Sequence, residues 1–302
     1  MIPSEMALRD GVAVVENLPR AVYRLTGERS PLAYLHDVLA QDVAELGAGR
    51  GALSAVLTAN GRVAAEVRVL PLGQDVVLDA EVAASSGIDA HIVRHAPLAG
   101  VDVQNVSDRF AVSAVRGPRT ADALRAAGLP VPGPDEAAFV RAGDVMVVRV
   151  RWGVPGVDLI GPADAVPSID ASAATLDELE AARIEAGRPR FGVDVNEDVL
   201  VNETPLLARG VSMTKGCYPG QESVARIHNL GTIRRALRSV RSTGSLRAGG
   251  NISMNGTSIG RVTSAAPMPG GGASGIALLS ADVEPGASVT IDGDEAIVGT
   301  LP

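Results

Sequence analysis

Turn signals that separate short apolar runs constrain the fold of this chain most strongly. Asn60-Gly61 lies between the apolar runs 52–58 and 63–70, and this dipeptide tolerates the positive φ angles of a tight hairpin turn. Similar signals recur at short intervals beyond Gly231: Gly249-Gly250, Asn255-Gly256, 269–272, Pro285-Gly286 and Asp292-Gly293. The sequence therefore predicts an antiparallel sheet near the N-terminus and an antiparallel barrel of about 70 residues at the C-terminus.

Helical patterns occur between these strands without the regular alternation that a parallel sheet requires. Ser30-Pro31 predicts a helix start, because serine caps helices and proline fits the first turn. A second helical stretch covers 83–95, although Gly87 lowers its helical propensity. Strands and one helix follow in a comparable order over 101–150. Two mixed α+β units are expected before the barrel.

The composition excludes several classes of protein. The net charge of −8 and the aromatic content of 2% argue against a broad nucleic-acid-binding surface, which needs basic patches and stacking rings. No apolar run reaches the roughly 18 residues of a membrane span, and the first residues do not resemble a secretory signal, so a cytoplasmic location is expected. One cysteine, Cys217, cannot form an internal disulfide or bind an iron–sulfur cluster alone.

Glu185 falls at an unfavourable place for a carboxylate. Thr175 and Glu178 form a capping box that begins a helix, and Gly187 is well placed to end it, so Glu185 lies in the last turn. The helix dipole disfavours negative charge there by a few tenths to about 1 kcal/mol. Either Arg183, Arg188 or Arg190 compensates this charge, or Glu185 accepts hydrogen bonds from a planar heterocycle that carries adjacent N–H and amino donors.

A glycine- and proline-bracketed loop holds the single cysteine. It reads Lys215-Gly216-Cys217-Tyr218-Pro219-Gly220-Gln221-Glu222, and Lys215 is the only lysine of the chain. A nearby cation favours the nucleophilic thiolate, so Lys215 and Cys217 are candidate catalytic residues. The alternative is a buried, inert cysteine.

The string KGCYPGQE resembles the signature of the YgfZ-type folate-binding proteins, relatives of the glycine cleavage T-protein (aminomethyltransferase). The similarity extends to the stretches 183–187, 191–194, 203–205, 225–226 and 260–264, and more weakly to 39–43 and the Asn60-Gly61 hairpin. It implies a three-domain ring that binds tetrahydrofolate or a one-carbon derivative of it. On this basis we expect α+β domains over 1–100 and 101–230 and the β-barrel over 231–302. The implied partners are folate and client iron–sulfur proteins, including enzymes that modify tRNA.

The resemblance also assigns roles to single residues. Cys217 becomes the functional cysteine, and Glu185 matches the glutamate that holds the pterin ring in T-proteins. The cofactor-binding residues implied by the motif and its surroundings are Glu185, Tyr218, Gln221, Glu222 and Arg226, the last for the glutamate tail of folate. The YgfZ-type function implied is support of iron–sulfur cluster assembly or repair.

One departure leaves the activity open. Aminomethyltransferases carry a pair of aspartates after the first hairpin, whereas the best match here is Ala65-Glu66. Folate-dependent aminomethyl transfer or demethylation would require Glu66 to replace the missing acid. A binding module without catalysis is the third alternative.

Two further patterns carry weaker signals. His91 and His95 lie four residues apart, but no third ligand has suitable spacing, so no metal site is expected. The basic run Arg234, Arg235, Arg238 and Arg241 is typical of a solvated face, with steering of an anionic ligand or an RNA-bearing client as the alternative.

Overall fold

The computed structural model describes residues 4–302. They form two units that each combine a β-sheet with α-helices, and a closed β-barrel. The strands are β1 Ala13–Val15, β2 Arg20–Gly27, β3 Ala52–Leu57, β4 Val63–Leu72, β5 Asp75–Glu81, β6 Val101–Asn105, β7 Phe110–Arg116, β8 Phe139–Ala142, β9 Val145–Val150, β10 Gly156–Pro162, β11 Ser172–Ala173, β12 Arg235–Ser242, β13 Asn251–Met254, β14 Thr257–Pro267, β15 Ala273–Ser280, β16 Ser288–Ile291 and β17 Asp294–Gly299. The α-helices are α1 Ser4–Asp10, α2 Pro31–Val38, α3 Ser85–Ile88, α4 Thr120–Ala126, α5 Leu176–Glu185, α6 Leu206–Gly210 and α7 Gln221–Leu230.

The first sheet has the strand order β3-β4-β5-β2-β6 and is antiparallel throughout. The predicted hairpin joins β3 to β4, and Gly61 has the positive φ of 76° that the turn requires. Ser30 caps α2 as predicted, its side chain accepting from the backbone N–H of Ala33 at 3.3 Å. The apolar face of α2 then covers this sheet.

The helix predicted over 83–95 is not continuous. It consists of the 3₁₀ turn Val82–Ala84, α3 and the π-helical turn Asp89–Val93. Gly87 lies directly against β4, where an added Cβ would be 2.0 Å from the carbonyl oxygen of Ala64. This close approach buries Ile88 and Ile92 against the first sheet, so packing outweighs helix regularity here.

The second sheet has the order β11-β1-β7-β10-β9-β8, and only its β1–β11 pair is parallel. The capping box of Thr175 and Glu178 begins α5 as predicted, and Gly187 follows the helix end with a φ of 69°. Helix α5 packs between α1 and the barrel strands β14 and β15. The barrel closes in the order β12-β15-β14-β13-β16-β17 around its own apolar core.

The sheet pairings place the domain boundaries differently from the expected 1–100 and 101–230. Strand β6 pairs with β2 and therefore extends the first unit to residue 105, whereas β1 belongs to the second sheet. The segment 191–224 also packs on the first sheet, because Phe191, Leu206 and Tyr218 lie in the same apolar core as α2. The cysteine loop is thus carried by the first unit and not by the second.

Candidate functional site

A central cavity of about 170 Å³ lies where the first sheet, the second sheet and α5 meet. Charged side chains from all three elements, and one indole, form most of its wall. Its arginines are Arg20, Arg68, Arg116, Arg183, Arg188 and Arg190, its carboxylates are Glu81, Glu136, Asp158 and Glu180, and its aromatic residue is Trp152. Guanidinium groups and an indole suit a ligand that combines a planar ring with negative charge.

A ladder of alternating arginines and carboxylates crosses between the two sheets at this cavity. Asp79 accepts from Nε and Nη2 of Arg20 at 2.9 and 2.8 Å and from Nε of Arg68 at 2.6 Å. Nη1 of Arg68 lies 2.6 Å from Oδ2 of Asp158, which also pairs with Arg116. Since Asp79 belongs to β5 and Asp158 to β10, Arg68 joins the first sheet to the second.

The two ladder carboxylates stay ionised in the fold. Burial alone would raise the pKa of Asp79 and of Asp158. The neighbouring guanidinium groups outweigh this effect and hold both pKa values below the ordinary aspartate value. Arg20 and Arg68 lower the pKa of Asp79. Arg116 and Arg68 lower the pKa of Asp158. The ladder is therefore a set of paired charges at neutral pH.

Glu66, the match for the acid of the transferases, is buried and paired. Its Oε1 accepts from Nη2 of Arg188 at 2.7 Å. Burial raises the pKa of Glu66, while Arg188 opposes that rise. The Arg188 guanidinium also lies 5.0 Å from the ring centroid of Trp152, and that of Arg209 lies 4.8 Å from it. A proton-transfer role for Glu66 therefore requires the ion pair with Arg188 to open.

Three buried nitrogen atoms of residues in the wall of the central cavity have no hydrogen-bond acceptor within the part of the chain that the structure describes. They are the indole nitrogen of Trp152, a residue only 4% exposed, Nε of Arg190, and Nη2 of Arg68, which forms an ion pair with Asp79. An unsatisfied buried donor costs about 1–3 kcal/mol.

The carboxylates of the cavity wall are all engaged by groups of the protein. Arginines hold three of them, Glu81, Asp158 and Glu180. The fourth, Glu136, accepts through Oε2 from the backbone N–H groups of Arg151 and Trp152, each at 2.7 Å. In these contacts Glu81 uses Oε1 and Glu136 uses Oε2, so each keeps further acceptor capacity on its other carboxylate oxygen.

Glu185 lies in a second cavity of about 310 Å³, on the other side of α5. Val154 lines both cavities, so they adjoin each other. Glu185 ends α5 as predicted, and its Oε2 lies 2.5 Å from Nη2 of Arg9 on α1. The cation that compensates this charge is therefore Arg9, which sequence reasoning did not name. The glutamate remains 38% exposed to the cavity and solvent.

Lys215 caps a helix. Its ammonium donates to the backbone carbonyls of His36, Leu39 and Gln41, which lie in and just after the last turn of α2; the Leu39 bond is 2.8 Å and the Gln41 bond 3.4 Å. Burial lowers the pKa of Lys215. Cys217, two residues later, is exposed. The Lys215 ammonium therefore interacts with carbonyls at the end of α2, whereas the sequence predicts that it activates the Cys217 thiol.

The remaining motif residues take different positions. Tyr218 is buried, and Gln221 donates from Nε2 to the carbonyl of Lys215 at 3.4 Å, which closes the loop. Glu222 and Arg226 are exposed on α7. None of the four lines either cavity, so their cofactor-binding roles stay predictions.

Two stretches that carry the family resemblance, 191–194 and 260–264, meet at Asp194. Its Oδ1 accepts from the hydroxyl groups of Thr263 and Ser264 at 2.5 and 2.6 Å. Its Oδ2 accepts from Nη1 of Arg183 at 2.8 Å and from the backbone N–H of Arg190 at 2.9 Å. Through Asp194, this network connects Arg183 near the end of α5 and the backbone of Arg190 to the barrel strand β14.

The two weaker sequence patterns are the histidine pair and the basic run. Among residues 4–302, no three His, Cys, Asp or Glu side chains come together as a metal-binding group. Arg235 of the basic run pairs with Glu203 at 3.0 Å, and Arg241 lies exposed at the second cavity. No helix of the described chain is long and apolar enough to cross a membrane.

Comparison with known proteins adds three findings. Residues 3–151 match the GCVT N-terminal domain family. The chain is 29% identical to the aminomethyltransferase of Mycobacterium avium over 307 residues, covering 93% of this chain and 81% of that protein. It is 28% identical to the aminomethyltransferase of Thermus thermophilus over 298 residues, covering 89% and 79%.

A solved structure matches the whole architecture. The glycine cleavage system aminomethyltransferase T from Bartonella henselae superposes with a TM-score of 0.87 at 20% identity, covering 99% of this chain and 88% of that one. Two α+β units with antiparallel sheets and a closed C-terminal barrel are therefore confirmed as the fold class.

Proposed function

We infer that this chain is a member of the T-protein family, and on that premise we propose that it binds a tetrahydrofolate. Its N-terminal half matches the GCVT domain, and the similarity to aminomethyltransferases runs along nearly its whole length. The coarse assignment to a folate-dependent family rests on these comparisons. The proposed binding site rests on the wall of the central cavity, and the proposed activity rests on Glu66.

The observation that carries the proposal is the arginine-lined central cavity with Trp152 in its wall. A tetrahydrofolate combines a planar ring system with the two carboxylates of its glutamate. Guanidinium groups bind carboxylates strongly, and an indole offers a face or an N–H to a ring system. The arginines in the cavity wall outnumber its carboxylates, which favours an anionic ligand.

Folate-dependent transfer of an aminomethyl or methyl group is the activity that the relatives favour. The M. avium and T. thermophilus proteins are both aminomethyltransferases. In this chain the proton-transfer group would be Glu66, whose ion pair with Arg188 must open on substrate binding. Burial of Glu66 suits it to hold a proton once Arg188 moves away, since desolvation raises its pKa.

A second candidate function is supported by the cysteine loop. Cys217 is exposed, and its loop is anchored to α2 through Lys215. The carboxylate of Glu66 is held in an ion pair with Arg188. A folate-binding accessory protein of iron–sulfur cluster assembly or repair, which docks clients such as tRNA-modifying enzymes through Cys217, fits these features. With one cysteine, any cluster belongs to the client.

Folate binding is tested by titrating 5-formyl-tetrahydrofolate into the protein, with heat and Trp152 fluorescence as independent signals. We expect a saturable 1:1 isotherm, weakened by Arg188→Met and unchanged by Arg24→Met, which removes an exposed ion pair of β2. Glu185→Ala tests the pterin role of Glu185. Absence of saturable binding to the wild type contradicts the proposal.

The two activities are separated by paired variants. If Glu66→Gln abolishes turnover of an aminomethyl or methyl donor while Cys217→Ser leaves it unchanged, the protein is a transferase. If Cys217→Ser abolishes support of iron–sulfur enzymes in cells while Glu66→Gln does not, the accessory function holds. Trapping mixed disulfides at Cys217 then identifies the client.

A further inference from the structure

We propose that Arg188 is a positioning residue with two partners, Glu66 and Trp152, and that it stays on the Trp152 ring when Glu66 takes up a proton. The proposal rests on the proposed function, because Glu66 is the residue proposed there to transfer a proton. It specifies how the ion pair opens. Since Trp152 is the only tryptophan of the chain, the ring also reports the opening.

The guanidinium of Arg188 contacts both partners at once. Its Nη2 donates to Oε1 of Glu66 at 2.7 Å, and its central carbon lies 5.0 Å from the centroid of the Trp152 ring. Both partners are shielded from solvent, since the Glu66 side chain is 11% exposed and Trp152 is 4% exposed. An aromatic face attracts a cation, and it does so more strongly where water is excluded. The indole therefore continues to hold the Arg188 charge after the carboxylate has lost its own.

The backbone and the stem of Arg188 are fixed beside the ring. The backbone N–H donates to the carbonyl of Arg183 at 3.2 Å, and the backbone carbonyl accepts from Nη1 of Arg183 at 2.5 Å. The stem lies against Gly153, where an added Cβ would be 2.9 Å from Cδ of Arg188. A change of partner therefore needs movement of the guanidinium alone, from a shared position to the ring.

Glu66 lies among charges of both signs, and Arg188 has the largest effect of these. Burial raises the pKa of Glu66, and Arg188 opposes this rise. The carboxylates of Glu81 and Glu136 raise the same pKa further, while Arg20 lowers it. The pKa of Glu66 is raised overall, so the residue takes up a proton above the ordinary glutamate range. A protonated carboxyl has no charge with which to hold the guanidinium.

Arg209 provides a matched comparison for Arg188. Its guanidinium carbon lies 4.8 Å from the same ring centroid, yet the hydrogen bond to Glu66 comes from Arg188. Arg209 lies on α6, is exposed, and does not line the central cavity. Removing either arginine takes one cation from the Trp152 ring, but only the removal of Arg188 takes away the charge that is paired with Glu66. The two variants therefore separate the ion pair from the ring contact.

The test is a pH titration of the full chain without ligand, with two readouts. The ¹³C signal of the Glu66 carboxyl, assigned by its loss in Glu66→Gln, gives the midpoint of proton uptake, and Trp152 fluorescence gives the change at the ring. In the wild type we expect both signals to change with one midpoint, which lies above the ordinary glutamate pKa. Glu66→Gln should abolish the fluorescence transition. Glu136→Gln should keep it, although Glu136 accepts from the backbone N–H of Trp152.

The arginine variants then locate the cause. Arg188→Met should raise the Glu66 midpoint by about 1–3 pH units, because the opposite charge is lost, and should abolish the fluorescence transition. Arg188→Lys keeps the positive charge, so it should restore part of the midpoint shift, and it carries the comparison if Arg188→Met does not fold. Arg209→Met should leave the Glu66 midpoint close to that of the wild type.

Two results would overturn the proposal: Trp152 fluorescence that does not follow the Glu66 titration, or a Glu66 midpoint that Arg188→Met moves no further than Arg209→Met. Because no folate is present, these results are independent of folate binding. A protein that shows the expected titration and binds no folate keeps the positioning role of Arg188 and loses the proposed function. A protein that binds folate without the titration does the reverse. Circular dichroism and urea unfolding verify that each variant is folded.

Discussion

Replacing Arg68 by methionine should destabilise the protein strongly, because Arg68 is the link between the two sheets. Its side chain is 7% exposed and contacts Asp79, which is fully buried, and Asp158, which is 7% exposed. Methionine retains most of the apolar stem and leaves each aspartate with a single arginine partner. Breaking a buried ion pair by removing one partner costs about 3–5 kcal/mol, a large part of a typical stability of about 5–15 kcal/mol.

Urea unfolding followed by circular dichroism measures this loss as a fall in the transition midpoint. The matched control is Arg24→Met, since Arg24 lies on β2 of the same sheet but forms an exposed ion pair with Asp75. We expect the control to lose less than about 1 kcal/mol. If Arg68→Met costs no more than Arg24→Met, the ladder does not hold the sheets together.

Three further results are expected. The free energy of unfolding of the wild type should fall as the pH drops below about 4. The folded state lowers the pKa values of Asp79 and Asp158, so the stability that they contribute is present above the unfolded aspartate pKa and is lost when they are protonated. A flat acid profile in urea unfolding contradicts this prediction. Gly87→Ala should cost several kcal/mol in the same assay, since its Cβ would lie 2.0 Å from the carbonyl oxygen of Ala64, and a change below about 1 kcal/mol would refute the tight packing. Lys215→Met should destabilise the protein by about 1–3 kcal/mol, because it removes the hydrogen bonds to α2. It should also speed alkylation of the Cys217 thiol at fixed pH, because the loop loosens. Slower alkylation would instead support the thiolate-activating role expected from the sequence.

Local chemistry made several parts of the fold predictable. The positive φ at Gly61, the serine cap of α2 and the capping box at Thr175 depend on residues within a few positions of one another, and all three form as predicted. The turn pairs after Gly231 likewise indicated the barrel, because each hairpin is specified by its own turn.

The site was harder to predict because its contacts are distant in sequence. Arg68 and Asp79 are direct partners in the β4–β5 register, yet a lone charge in an apolar strand gives no sign of whether it faces solvent or a buried partner. The contact of Arg9 with Glu185 joins residues 176 positions apart. Lys215 was assigned to its neighbour Cys217, whereas its carbonyl partners come from a helix far away in the chain.

The domain boundaries illustrate the same limit. Residues 191–224 follow the second unit in sequence but pack on the first sheet, because their apolar side chains complete the core under α2. Only the tertiary structure places the cysteine loop beside α2. There the Lys215 ammonium donates to carbonyls of α2, while Cys217 is exposed.

A crystal structure of the protein with 5-formyl-tetrahydrofolate tests the central claim most directly. We predict one folate per chain in the central cavity, in contact with the arginines and with Trp152 of its wall. A folate bound away from the central cavity, or no bound folate, would contradict this prediction.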